Sequence, residues 1–249
     1  MAGAGQDRTG SPVPTRRPCL VSFSGIDGSG KTTQIEAVLS HLREAGLRVR
    51  LMRFWDDIAV FGRLREAASH TLFKSEKGVG TPKRPVRRRD KNVRSLPMTL
   101  ARIFLYLLDA IFLAYVVAVS GRRHDFLVFD RYLHDELANL NLENSALRVY
   151  VRMLLKLVRI PEVAFLLDAD PSEAQARKPE YPLQFVQSNR ASYLTLAKLA
   201  GHLTVVEPFA AEVVTEVVLR RISAAVPHLA IAREFMQAPI HSRQSLTNK

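Results

Sequence analysis

Cysteine occurs once in 249 residues, at position 19, so no internal disulfide can form and the stapled framework of small secreted domains is excluded. Its setting in CLVSF makes Cys19 a buried, inert thiol. Negative charge is scarce as well. The 24 Asp+Glu face 36 Lys+Arg, a net +12 that favours anionic partners such as nucleotides, nucleic acid or an acidic membrane surface without choosing among them. The first residues, MAGAGQDRTGSPVPTRRP, hold no apolar run of the kind a secretory signal needs. Residues 1–18 read as a flexible leader, 19–226 as one domain and 227–249 as a tail without a convincing period, in a chain suited to a reducing cytoplasm. There is no internal repeat. No Ser/His/Asp grouping reads as a nucleophile with its base, and His134 reads as a helix-start residue.

Long apolar runs are almost absent too. The exception is 100–120, LARIFLYLLDAIFLAYVVAVS, long enough for a bilayer but with Asp109 at its middle. A carboxylate there costs about 2.5–3.5 kcal/mol on insertion scales. The run therefore reads as a crossover helix of an α/β protein, and no transmembrane span is expected.

What is present is an alternation. Short runs rich in Val, Leu and Phe at 19–24, 47–54, 126–129, 163–167 and 203–206 read as strands. Between them, helical patterns run over 33–45, 60–71, 98–120, 134–158, 172–177, 183–200 and 210–225. Continuous apolarity in the strands predicts a five-stranded parallel sheet flanked by helices, in three layers. One segment breaks the pattern: 74–94, KSEKGVGTPKRPVRRRDKNVR, sets nine Lys or Arg against Glu76 and Asp90. With Gly78, Gly80 and Pro82 it reads as a basic loop insertion over 74–97, a candidate for weak polyanion binding.

The strongest signal is GIDGSGKT at 25–32, which satisfies G-x-x-x-x-G-K-[ST] with a strand before it and a helix after it. Backbone N–H groups of Gly25, Gly28, Ser29, Gly30 and Thr33 can converge on phosphate oxygens only where side chains leave room, and the helix beginning near Lys31 points its positive end at the same anion. Lys31 then reaches the β- and γ-phosphates of ATP, and the Thr32 hydroxyl ligates Mg²⁺. A second strand, FLVFDRY, ends in Asp130, where a carboxylate at the carboxyl edge of the sheet can hold the metal directly or through water. Arg131 offers a planar fork to a phosphate.

Asp27 within the loop, the TTQ that follows Lys31 and the later DRY together make the chain resemble the thymidylate kinase family of P-loop nucleoside monophosphate kinases, in patches from about 18 to 222. The resemblance implies a P-loop NTPase fold, ATP and Mg²⁺, nucleotide substrates, transfer of a phosphoryl group to a nucleoside monophosphate, and a homodimer. It gives Asp27 the acceptor's sugar. It also matches 161–177, PEVAFLLDADPSEAQAR, to the strand leading into the family's lid, here a short one over 177–183. With Gly28 and Ser29 where some members carry a loop arginine, Arg177 becomes the cation that covers the transferring phosphate, unless it is a surface salt bridge.

Arg53 falls where the family has an acceptor-side arginine, although RFWDD replaces Glu-Pro-Gly-Gly after it. Phe54 and Trp55 are either core aromatics or stacking partners for a base. At Ala110 the family usually places an arginine against the acceptor base. Either Arg102, further back on the helix, substitutes, or the acceptor is a different small molecule; a nucleotide-binding protein without catalysis is the third reading.

Overall fold

In a computed structural model of the chain, the described residues are 17–60, 96–121 and 123–226. Five strands form one parallel sheet: β1 (Cys19–Ser24), β2 (Val49–Arg53), β3 (Phe126–Asp130), β4 (Val163–Leu167) and β5 (Leu203–Val206), in the order β2-β3-β1-β4-β5. β1 and β4 are buried along their whole length, as strands with helices on both faces must be. Successive side chains alternate between those faces. Val21, Phe23, Val128 and Phe165 meet α1 (Lys31–Glu44) and, further along the chain, α7 (Ala211–Ala225). Leu20, Met52, Phe129 and Leu166 meet the opposite layer. That layer contains α2 (Leu96–Ser120), α3 (Leu133–Leu137), α4 (Ser145–Leu157) and α6 (Leu183–Ala200), while α5 (Pro171–Arg177) connects β4 to α6.

Three expectations change. The helix expected over 134–158 is two helices, because Asn144 ends the intervening turn and caps α4, its Oδ1 accepting from the N–H groups of Ala146 and Leu147 at 2.9 and 3.3 Å. The strand expected over 47–54 is shorter, and Phe54–Ile58 coils into a π-helical turn in which Phe54 is buried and Trp55 exposed. Leu96 and Pro97, expected within the basic insertion, already belong to α2. The expected helix over 60–71, the basic segment 74–94, most of the leader and the tail lie outside the described residues. Cys19 is buried in β1, and burial together with the nearby Glu162 pushes its thiol up to about 12.

By length and composition Thr99–Ser120 could cross a membrane, yet one side of it is core. Arg102, Tyr106, Asp109, Ala110, Leu113 and Val117, at i, i+4, i+7, i+8, i+11 and i+15, are all buried. The Asp109 carboxylate caps the chain leaving the π-helical turn, accepting from Val60 N–H at 2.7 Å. A core helix of this kind predicts an asymmetry along α2. Leu113→Ala should cost about 2–5 kcal/mol in urea unfolding, whereas Phe104→Ala, on the outer side, should stay within about 0.5 kcal/mol.

Candidate active site

The carboxyl ends of β1, β3 and β2 come side by side, because the register sets Phe23 beside Asp130 and Asp130 beside Arg53. Where β1 ends, the chain turns through Gly25, Ile26 and Asp27, with Ser29 N–H donating to Ile26 C=O at 3.2 Å, and enters α1 at Lys31. Gly25, Gly28 and Gly30 all have positive φ, at 140°, 85° and 86°. Their reasons differ. A Cβ on Gly25 would lie 2.5 Å from Leu167 O and one on Gly28 2.3 Å from Ala174 O, so β4 and α5 press directly on the loop. A Cβ on Gly30 would meet nothing within 4 Å, and there the loop opens outward.

Lys31 is buried beneath this loop. Its Nζ donates to Gly25 C=O at 2.9 Å and Ile26 C=O at 2.8 Å, bracing the turn that a phosphate would occupy. Burial, and then the nearby Arg131 guanidinium, lower the ammonium to about 7 despite Asp27, Asp135 and Asp130. Thr32 and Thr33 are exposed on the first turn of α1. Among the described residues no group of three or more His, Cys, Asp or Glu is arranged to hold a metal. Thr32 and Asp130 are hard oxygen donors, a set that suits a magnesium ion drawing the rest of its shell from phosphate and water.

Arg131 carries the only positive φ among the described non-glycine residues, 68°. Its N–H donates to Phe23 C=O at 3.0 Å, and its guanidinium donates to Asp27 of the loop and, at 3.1 Å, to Asp135 Oδ1. The DRY turn is thus bonded to the phosphate loop. Asp135 is the residue that sequence reasoning missed. It is 4% exposed and also accepts from Tyr193 OH at 2.7 Å, Ser24 Oγ at 2.7 Å and Tyr132 N–H at 3.1 Å. Its signal was a Tyr-x-x-Asp spacing at a helix start, obscured by reading one long helix from 134. Arg190 of α6 was missed too; it forks onto Asp168, just past β4, at 2.7 and 2.6 Å.

The other expected residues scatter more. Arg177, at the end of α5, is exposed and paired with Glu173 at 3.2 Å, on the rim of a cleft of about 200 Å³ that begins at Ser29, Gly30 and Thr33 and ends at Pro208 and Phe209. Arg53 is exposed at the sheet edge, its N–H donating to Asp57 at 2.7 Å. Arg102 is buried in α2. His134 is buried, its Nε2 2.8 Å from His202 Nε2, and burial and that second ring hold it near 3, a neutral structural group.

Two measurements check this geometry. A triphosphate favours the charged form of Lys31, so ATP binding at pH 8 should take up a proton, seen as a dependence of the calorimetric enthalpy on buffer ionisation, and the uptake should fade below pH 6. Asp135→Asn keeps the side chain's shape but removes its charge from Arg131. It should lower turnover by about 10- to 100-fold while ATP affinity changes by less than about threefold.

The sequence model of the thymidylate kinase family matches residues 23–217, a span that includes the loop, the DRY turn, Asp135 and Arg190. The thymidylate kinase of Prochlorococcus marinus strain AS9601 is 25% identical over 194 residues, covering 72% of this chain and 83% of that protein. The enzyme of strain MIT 9312 is 25% identical over 171 residues, 66% and 72% of the two chains. Among solved structures, the thymidylate kinase of Candida albicans superposes with a TM-score of 0.55 at 17% identity, over 87% of this chain and 94% of that one. That of Ehrlichia chaffeensis does so with a TM-score of 0.52 at 19% identity, over 83% and 99%. At such identities the superpositions speak for the fold, and the family match speaks for descent: the chain belongs to the thymidylate kinase family.

Proposed function

We propose that the chain transfers the γ-phosphoryl group of ATP to a nucleoside monophosphate, with conversion of dTMP to dTDP as the leading reaction. The observation that carries this reading is the bond between Asp27 of the phosphate loop and Arg131 of the DRY turn, which ties a donor-side loop to an acceptor-side cation. The loop amides and Lys31 hold the β- and γ-phosphates, and the cleft from Gly30 to Phe209 offers an apolar wall to the base of ATP. Thr32 and Asp130 hold Mg²⁺, which neutralises phosphate charge when bound. Arg131 and Arg177 take up the charge shared between donor and acceptor, with Asp27, Arg53 and Arg102 on the acceptor side. The attacking group is a phosphate oxygen already ionised at neutral pH, so the chain needs no general base. A free buried thiol at Cys19 accords with a reducing cytoplasm.

A second reading, transfer to another small acceptor, is favoured by one specific observation. Ala110, where the family has its base-contacting arginine, is completely buried in the core face of α2. Any cation on that side comes from elsewhere. An assay of ATP consumption against deoxynucleoside monophosphates, nucleosides and sugar phosphates separates the two. Turnover with dTMP is the expected result, and activity confined to a non-nucleotide would overturn it. Lys31→Ala should reduce turnover by at least about a hundredfold with the fold retained. Arg131→Ala should raise KM for the acceptor more than KM for ATP; an equal rise in both would remove its acceptor role.

A further inference from the structure

The rim of the cleft is built by a short stretch of chain with one deep root. α5 ends at Arg177, α6 begins at Leu183, and residues 178–182 cross between them. Most of this stretch has little to hold on with: Lys178 is exposed, and Pro179, Glu180 and Pro182 are half-buried. Tyr181 is the exception. It is 4% exposed, inside the same apolar core as Ala174 and Val186, and its ring lies 4.7 Å from that of Phe185.

Local bonds tie that root to α5. Gln175 Nε2 donates to Tyr181 C=O at 2.9 Å, joining the last turn of the helix to the buried ring. Pro182 fixes the backbone directly after Tyr181 at φ −59°, and Pro179 restricts Lys178 ahead of it to an extended conformation, φ −141° and ψ 80°. Glu180 N–H donates to Lys178 C=O at 2.9 Å, and the two side chains pair at 3.3 Å. The body of α5 is pressed against the phosphate loop, where Ala174 O leaves no room for a Cβ on Gly28. Arg177 therefore lies between two fixed points, Ala174 against the loop and Tyr181 in the core. Its own pair with Glu173 is exposed and weak, so its place is set by the backbone that carries it.

We propose that Tyr181 is a positioning residue for phosphoryl transfer, an anchor that holds the end of α5 so that Arg177 stands at the phosphate loop. The inference rests on the function proposed above, in which Arg177 takes up charge shared between donor and acceptor. A cation stabilises charge that develops in the transition state only from a fixed place, and a displacement of about 1 Å can cost about a hundredfold in rate. A long side chain at an exposed helix end starts with many rotamers. Rooting its backbone removes in advance part of the freedom that binding would otherwise have to remove. An aromatic ring provides the root without adding charge beside the phosphates.

A double-mutant cycle in the full chain tests this, read with ATP and dTMP or with the acceptor that the panel above shows to turn over. Tyr181→Ala should lower kcat and kcat/KM together by at least about tenfold. In an Arg177→Ala background the same change should lower turnover by less than about twofold, because the cation it positions has gone. Tyr181→Phe keeps the ring beside Phe185 and should stay within about threefold of wild type. Gln175→Ala removes the bond to the Tyr181 carbonyl, should act in the same direction with the same non-additivity, and decides the matter if Tyr181→Ala fails to fold. Hydrogen exchange of the chain without nucleotide reads the anchor apart from any chemistry. The amides of Glu180, Phe185 and Val186, bonded to Lys178 and Pro182 carbonyls, should be protected in wild type and exchange at least about tenfold faster in Tyr181→Ala. Losses that simply add to those of Arg177→Ala, or free exchange at these amides in wild type, would overturn the proposal. A wild type that turns over no acceptor would instead defeat the phosphotransfer reading, and the exchange result would then judge the anchor by itself.

Discussion

One buried carboxylate organises the chemical end of this molecule. Asp135 receives hydrogen bonds from Ser24 at the end of β1, from the backbone of Tyr132, from Tyr193 of α6 and from the guanidinium of Arg131. A charge placed this deep survives only when its oxygens are satisfied, and here both are satisfied twice. The network fixes a strand end, a turn and two helices relative to one another. Arg131 in turn is held in a left-handed conformation that a side-chained residue adopts at a cost, and its second carboxylate partner, Asp27, belongs to the phosphate loop. The loop's shape therefore rests on bonds to residues more than a hundred positions away, in addition to its own glycines.

That dependence sets the limit of what sequence could disclose. The sheet was legible because its central strands β1, β3 and β4 are short apolar runs buried along nearly their whole length, and the loop was legible because its glycines, Lys31 and Thr32 are contiguous. The break between α3 and α4 was not, since buried apolar residues continue through it at Leu137, Leu140 and Leu142, and only Asn144 marks the restart. Asp135 and Tyr193 stand 58 residues apart and Arg190 and Asp168 stand 22 apart, pairs that no local period connects. Even the glycines carried less information than they seem to offer. Gly25 and Gly28 are required by the backbones of Leu167 and Ala174 as much as by any anion.

The helix α2 illustrates a related ambiguity. Its composition reads as a crossover helix rather than a span, and the structure gives only one of its two sides to the core. Arg102, Asp109 and Ala110 are turned into the domain, so that a polar pair shares the helix with some of its most buried apolar residues, while Phe104 and Tyr115 are turned out. Residues on the inner side answer to the sheet. Those on the outer side answer to nothing among the described residues, and that difference separates a helix whose apolarity is fully explained from one that invites a partner.

Charge arithmetic at the loop shows why the site needs cations from outside its own cluster. Lys31 and Arg131 bring two positive charges together with the three carboxylates of Asp27, Asp130 and Asp135, which leaves the cluster formally negative before any phosphate arrives. Burial already weakens the hold of Lys31 on its proton. A triphosphate adds several more negative charges, against which the α1 dipole sets only about half a positive charge. On the function proposed above, the remaining neutralisation would fall to a divalent ion held by Thr32 and Asp130 and to the exposed Arg177 on the rim. The ion pair of Arg177 with Glu173 is exposed and weak, and it can be exchanged for phosphate at little cost. Arg131 is bonded to two carboxylates, whereas the role proposed for Arg177 asks it to leave only Glu173.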